Sequence, residues 1–226
     1  MKIIGVTGGV GSGKTELLHY IEKNYRCRIL LSDEASHEVM RRGGRIYGSL
    51  VSLLEQYPAG ASDNASGAGN ICGEGGKGTL LQENGEIDRR EMAARIFAHR
   101  ELRERVNALI HPAVKEYILE RIREEQERAA QKAADAVDYF FLEAALLIEC
   151  GYRSYVDEMW YIYCDLAVRR KRLRESRGYS DEKIDGILSS QLTEEEFRAG
   201  SDVVIDNSGS LENAYRQIRE ALGTGK

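Results

Sequence analysis

Four glycines fall within six positions near the amino terminus, Gly8, Gly9, Gly11 and Gly13, and Lys14 and Thr15 follow at once. The stretch "GGVGSGKT" satisfies the spacing GxxxxGK[ST] at Gly8, Gly13, Lys14 and Thr15. Without a Cβ, glycines let backbone N–H groups converge on phosphate oxygens, and a helix beginning near Lys14 adds the positive end of its dipole. Gly9, Gly11, Ser12 and Gly13 form the cradle, Lys14 brings a point charge to the β- and γ-phosphates, and the Thr15 hydroxyl suits Mg²⁺. The expected ligand is a nucleoside triphosphate. A glycine-rich turn that binds nothing is the competing reading, and the hydrophobic run before it and the helical pattern after it weigh against that.

Other residues fit the same chemistry. Glu143 ends the run "YFFLE", where a carboxylate at a strand end can hold the metal through water, or can simply be a polar terminus. Asp33 ends "RILLSD" and can take a proton from an attacking hydroxyl; it, or Ser32, can equally cap the helix expected over "EASHEVM". The stretch "VRRKRLRESRGYS" gathers Arg169, Arg170, Lys171, Arg172, Arg174 and Arg177. Guanidinium forks suit transferring phosphates, although most of these charges are expected to face solvent. Arg172 and Arg177 lie on different sides of a regular helix, so they meet one ligand only if the helix breaks near Gly178.

The elements that must position these groups read as α/β. Short apolar runs at 2–6, 28–32, 139–143, 160–164 and 202–206 are expected to be five strands of a parallel sheet, with helical segments as crossovers. A helix is expected from about Thr15 to Asn24, and another over "SLENAYRQIREAL", where Leu211, Ala214, Ile218 and Leu222 recur at helical spacing. More than 100 residues separate the second and third strands, which implies an inserted helical subdomain. Within it, Met92, Ile96 and Phe97, then Val106, Leu109 and Ile110, mark helix faces, with a break expected at Pro112. The charged run from Glu120 to Lys132 is expected to be a solvated helix face. Residues 59–78, with seven glycines, are expected to form a mobile loop, either incidental or a lid.

Composition narrows the classes. At 226 residues and 42% hydrophobic, the chain can bury a sizeable core. The formal charge of -5 offers no global basic field, which argues against nucleic-acid coating. Cys27, Cys72, Cys150 and Cys164 are far apart and form no CxxC pair, against a zinc knuckle or a disulfide framework. No stretch approaches the roughly 20 apolar residues of a bilayer span. A soluble cytoplasmic protein without membrane or nucleic-acid partners is expected.

Taken in order, the segments "GVTGGVGSGKT", "LLSDEASHEV", "LLQENGEIDRREMAARIF", "RVNALIHPAV", "EAALLIECGY", "RLRESRGYSDEKIDGILSSQ" and "SDVVIDNSG" resemble the dephospho-CoA kinase family over nearly the whole chain. The resemblance implies a P-loop NTPase-type core over about 1–33, 136–165 and 200–226. It also implies a helical substrate-binding insertion over about 34–135 and a helical lid over about 166–199. The implied reaction is ATP- and Mg²⁺-dependent phosphorylation of the ribose 3′-hydroxyl of dephospho-CoA; separately, the protein is expected to be a monomer. It implies that Gly11 to Thr15 cradle ATP, that Asp33 stands as base, that Arg172 and Arg177 are lid arginines, and that Asp88, Arg89 and His111 fall in the substrate-binding segments. Another reading of His111, before Pro112, is a packed turn residue.

Three departures stand out. Where the family usually reads Asp-x-Pro-Leu-Leu-x-Glu, this chain runs from Glu143 through Ala145 to Glu149, without the proline and with a longer first acid. Arg169 stands where glutamine is common, and residues 59–78 lengthen a connection that is normally short. A kinase of another nucleoside or nucleotide, or a catalytically degenerate nucleotide-binding regulator, are the alternatives.

Overall fold

The computed structural model describes residues 1–58 and 79–223. The expected loop at 59–78, and with it Cys72, lies outside the described residues. The chain forms two compact units, one made of Met1–Ser32 with Glu120–Lys226 and the other of Asp33–Leu119.

The first unit is built on a five-stranded sheet of order β2-β3-β1-β4-β5, comprising β1 (Lys2–Thr7), β2 (Cys27–Leu31), β3 (Tyr139–Glu143), β4 (Glu158–Tyr163) and β5 (Val203–Asp206). Every pairing is parallel. Parallel strands covered by helices must be apolar on both faces, and β1 is: Ile3, Ile4 and Val6 are all buried. Helices α1 (Lys14–Asn24) and α9 (Leu211–Leu222) send Leu17, Leu18, Ile21, Ala214 and Ile218 into one core with Phe141, Trp160, Ile162 and Ile205. Because all strands run the same way, their carboxyl ends share one edge. There β1 passes into the glycine loop and β3 ends on Glu143.

The expected strands are all present. The β3 bounds agree, and the others shift by one or two residues; β4 starts at Glu158, because Ile4 of β1 pairs with it. The remaining helices on this unit are α6 (Leu166–Arg177), α7 (Asp181–Ser189) and α8 (Glu194–Ala199). α8 places Phe197 flat on Tyr161, ring centroids 4.8 Å apart.

The second unit holds α3 (Tyr47–Glu55), α4 (Arg89–Ala98) and most of α2 (Ser32–Met40). Its core gathers Leu50, Leu53, Leu54, Leu80, Ile87, Leu102 and Val106. The break expected at Pro112 is absent: α5 runs unbroken from Arg100 to Ala130, and the interruption falls at His99, which ends α4 in an extended conformation. Proline removes one N–H and crowds the carbonyl of Ala108, but both residues are exposed, so water can take that carbonyl. Buried Ala113, Val114 and Ile118 hold the following turns by packing. The charged run from Glu120 is not wholly a solvated face either. Ile122 and Glu125 are buried, Glu125 accepting from Arg28 Nε at 3.2 Å.

Arg95 of α4 is buried, with Nε on Glu91 and Nη1 on the Leu54 carbonyl, each at 3.0 Å. Arg95→Ala removes one partner of a buried pair and orphans that carbonyl, so it should cost about 3–5 kcal/mol of stability. Urea unfolding checks this. Arg95→Met, which keeps the stem's packing, is expected to cost less.

Candidate functional site

The loop between β1 and α1 has the backbone its glycines allow. Gly8, Gly11 and Gly13 adopt φ of 148°, 83° and 89°, in the region that side chains disfavour. Gly13 caps α1 in the left-handed conformation, so the helix begins at Lys14 and its free N–H groups face the loop. Lys14 Nζ donates to the Gly8 carbonyl at 2.7 Å and stands 3.5 Å from Glu143 Oε1, which places its charge over the cradle. Thr15 is exposed and Ser12 is buried.

A Cβ at Gly13 would overlap the Asn207 amide nitrogen. Gly13→Ala adds that overlap to a strained φ, of order 1–3 kcal/mol, so ATP affinity should fall about 10- to 100-fold in a calorimetric titration.

Helix α6 explains what the arginine cluster does. Its amino end is capped by Asp165, and Gly178 in the left-handed conformation ends it where a break was expected. Arg172 donates to the carbonyls of Ser12 at 3.3 Å and Asn207 at 2.9 Å, and its Nη1 lies 3.4 Å from the Cys164 sulfur. Burial pushes the Cys164 thiol up, against the pull of Arg172 and Arg169, so it stays neutral beside the loop. Arg169 donates from Nε to the Val10 carbonyl at 3.1 Å and from Nη2 to Gln191 Oε1 at 2.7 Å. Burial lowers the Arg169 guanidinium from its usual value.

Arg177 is five residues along the helix from Arg172, at its far end, over the Tyr179 ring. These two are therefore not brought together here. Arg170 and Arg174 pair with Asp181, and Arg170 also with Asp185. They serve the α6–α7 contact, where these charges were expected only to face solvent.

Two residues at the loop had been assigned no role from sequence. Asn207 is buried and donates from Nδ2 to the Ser12 carbonyl at 2.8 Å, and Gln191 accepts from the Val10 N–H at 3.3 Å. Both lie in segments that carried the resemblance, "VIDNSG" and "SSQ".

Asp33 follows Leu31 by two residues, and Leu31 is the register partner of Glu143. It lies exposed in the first turn of α2, where a carboxylate also favours the helix dipole. In the second unit, Asp88 and Arg89 line a cleft of about 500 Å³ with His37, Met40, Arg41 and Met92. Asp88 caps α4, accepting from the N–H groups of Arg90 at 2.8 Å and Glu91 at 3.1 Å. Arg89 contacts the ring of His37. His111 does not line the cleft; it is exposed in mid-helix on α5, so it is not a packed turn residue.

The dephospho-CoA kinase (CoaE) family model matches residues 69–213. A dephospho-CoA kinase of Streptococcus mutans is 30% identical over 223 residues, covering 98% of this chain and 96% of that protein. The chain belongs to the dephospho-CoA kinase family. A dephospho-CoA kinase of Geobacillus kaustophilus is 31% identical over 97% of this chain and 94% of its own length. Among solved structures, TT1252 from Thermus thermophilus aligns with a TM-score of 0.67 at 25% identity, covering 98% of this chain and 96% of that one. The fold is also that of a dephospho-CoA kinase from Campylobacter jejuni, with a TM-score of 0.66 at 21% identity and the same coverage of both chains. The match to the family model, over residues 69–213, lies outside the glycine loop, so membership of the dephospho-CoA kinases rests on more than a shared nucleotide motif. No helix among the described residues is long and apolar enough to cross a membrane.

Proposed function

We propose that the chain transfers the γ-phosphoryl group of ATP to the ribose 3′-hydroxyl of dephospho-CoA, giving CoA and ADP, the last step of coenzyme A biosynthesis. One observation carries this: a complete phosphate loop in a chain that aligns with a dephospho-CoA kinase over 98% of its length.

On the donor side, the amides of Gly9 to Thr15 hold the phosphates. Lys14 neutralises charge on the β/γ oxygens, and Arg172, which reaches the Ser12 carbonyl, answers the charge that develops as the phosphoryl group leaves. Mg²⁺ takes one or two protein oxygens alongside phosphates and water. The exposed Thr15 hydroxyl and the Glu143 carboxylate beside Lys14 fit that demand, Glu143 acting through water. When bound with ATP, the ion supplies further neutralisation of the β- and γ-phosphates.

On the acceptor side, Asp33 orients or deprotonates the attacking hydroxyl. Arg89, with Arg41 and Arg90 lining the same cleft, supplies cationic donors suited to the phosphates of dephospho-CoA. Asp88 shapes that cleft by fixing the start of α4. We place the protein in the cytoplasm, as a monomer.

An acceptor panel tests the reading. With ATP and Mg²⁺ held constant, dephospho-CoA should drive ADP release, while nucleosides and nucleoside monophosphates should not. A preference for one of the latter would overturn the substrate assignment.

A further inference from the structure

Helix α6 lays one face along the phosphate loop. Arg169, Arg172 and Leu173, at spacings of three and four residues, fall on that face. Each meets the loop at or beside a glycine. A Cβ at Gly9 would overlap the Arg169 guanidinium, one at Gly11 would stand 3.1 Å from Leu173 Cγ, and one at Gly13 would stand 3.3 Å from Arg172 Nη1. The glycines thus admit a helix on this side as well as phosphates on the other.

The contact at Val10 is closed on itself. The Val10 carbonyl accepts from Arg169 Nε at 3.1 Å, the Val10 N–H donates to Gln191 Oε1 at 3.3 Å, and Arg169 Nη2 donates to that same oxygen at 2.7 Å. Both polar groups of one loop residue are therefore fixed by side chains, one from α6 and one just beyond the end of α7. Among the described residues, Arg169 has no carboxylate within ion-pair distance. Its guanidinium is committed to a backbone carbonyl and an amide, not to a counter-charge.

We propose that Arg169 and Gln191 act together as a positioning pair, which holds the Val10 peptide and thereby keeps the Gly9–Gly11 arc in the curvature that binds ATP. Neither side chain needs to touch the nucleotide for this. The proposal rests on reading the loop as the ATP site, and it goes beyond the lid arginines by giving a neutral residue, Gln191, an equal share in ATP affinity. A peptide held at both ends by a side-chain ring loses little on binding, whereas a free one must be ordered each time.

Three variants separate positioning from direct charge. Arg169→Met loses the donors and the charge, Arg169→Lys keeps the charge but lacks the fork that reaches both acceptors, and Gln191→Met removes the bridging carboxamide without changing charge. Calorimetric titration with Mg·ATP, without acceptor, should give an ATP Kd raised about tenfold for each of the three, the scale of one or two lost hydrogen bonds. The Arg169→Met/Gln191→Met double variant should be no worse than either single one, as expected of residues that act as a unit. At saturating ATP, kcat should stay within about twofold of the parent. In the ATP-free protein, hydrogen exchange at the Val10 amide should quicken in Gln191→Met.

Retained ATP affinity in Gln191→Met or Arg169→Lys, alongside loss in Arg169→Met, would overturn the proposal and assign Arg169 a direct charge on the phosphates. So would additive losses in the double variant, or a fall in kcat at unchanged affinity. Trp160, the one tryptophan and fully buried in β4, reports whether each variant is folded. Should Arg169→Met not fold, Gln191→Met and Arg169→Lys decide the matter. The titration uses no acceptor, so a parent protein that bound ATP without phosphorylating dephospho-CoA would count against the proposed function and leave the positioning pair to be judged by affinity.

Discussion

Lys14→Met is expected to lower kcat/KM for ATP by about 10²- to 10³-fold, the scale seen when one preorganised donor to transition-state charge is removed. The loop and strand end hold the ammonium: it rests on the Gly8 carbonyl at 2.7 Å and beside Glu143 at 3.5 Å, with its side chain only 14% exposed. Little reorganisation is then required when charge builds on the phosphates. Lys14→Arg should recover little, because a planar fork replaces a compact point charge in a tight loop. Coupled detection of ADP measures the effect. Glu143→Gln should be milder, since it removes the carboxylate's charge and leaves the loop's amides and Lys14 intact.

Asp33→Asn should lower kcat by about 10²- to 10⁴-fold, the range for a positioned general base, and leave ATP affinity within about twofold. The split matters more than the size. A residue that served only the start of α2 would change stability with little loss of turnover, because asparagine also suits a helix start. Turnover with dephospho-CoA near that of the parent would remove Asp33 from the reaction. If ATP binding fell as well, Asp33 would belong to the donor side.

Much of the fold could be read from sequence because its signals are local. The run "YFFLE" is short, aromatic and closed by an acid, and β3 occupies those same residues. The phosphate loop was legible because glycine spacing, strand and helix coincide there. Pro112 was misread for a physical reason. A proline rule assumes the lost hydrogen bond has no substitute, whereas exposure at Ala108 and Pro112 supplies water, and exposure is a tertiary property. Glu125 is similar. Its burial beside Arg28 depends on a partner 97 residues away, which no charge pattern in the helix reveals.

The sequence pointed to only the near half of the candidate site. Lys14, Thr15 and Glu143 follow from motif and strand end, but the contacts that brace the loop join Val10 to Arg169 and Gln191 across more than 150 residues. Arg172 was singled out as a guanidinium suited to phosphate, and it holds the loop's own carbonyls as well. Asp88 carried a signal that could have been used. Asp88 followed by Glu91 three residues on is a capping pattern, and the carboxylate does cap α4.

The central claim is that a phosphoryl group passes from ATP to the 3′-hydroxyl of dephospho-CoA. Incubation with ATP, Mg²⁺ and dephospho-CoA, followed by mass spectrometry and phosphorus NMR of the product, tests it most directly. The account predicts CoA, one phosphate heavier than the acceptor and carrying a ribose 3′-phosphomonoester, formed in step with ADP. Unchanged dephospho-CoA from a protein shown to bind ATP, or a phosphate placed elsewhere on the acceptor, would contradict it.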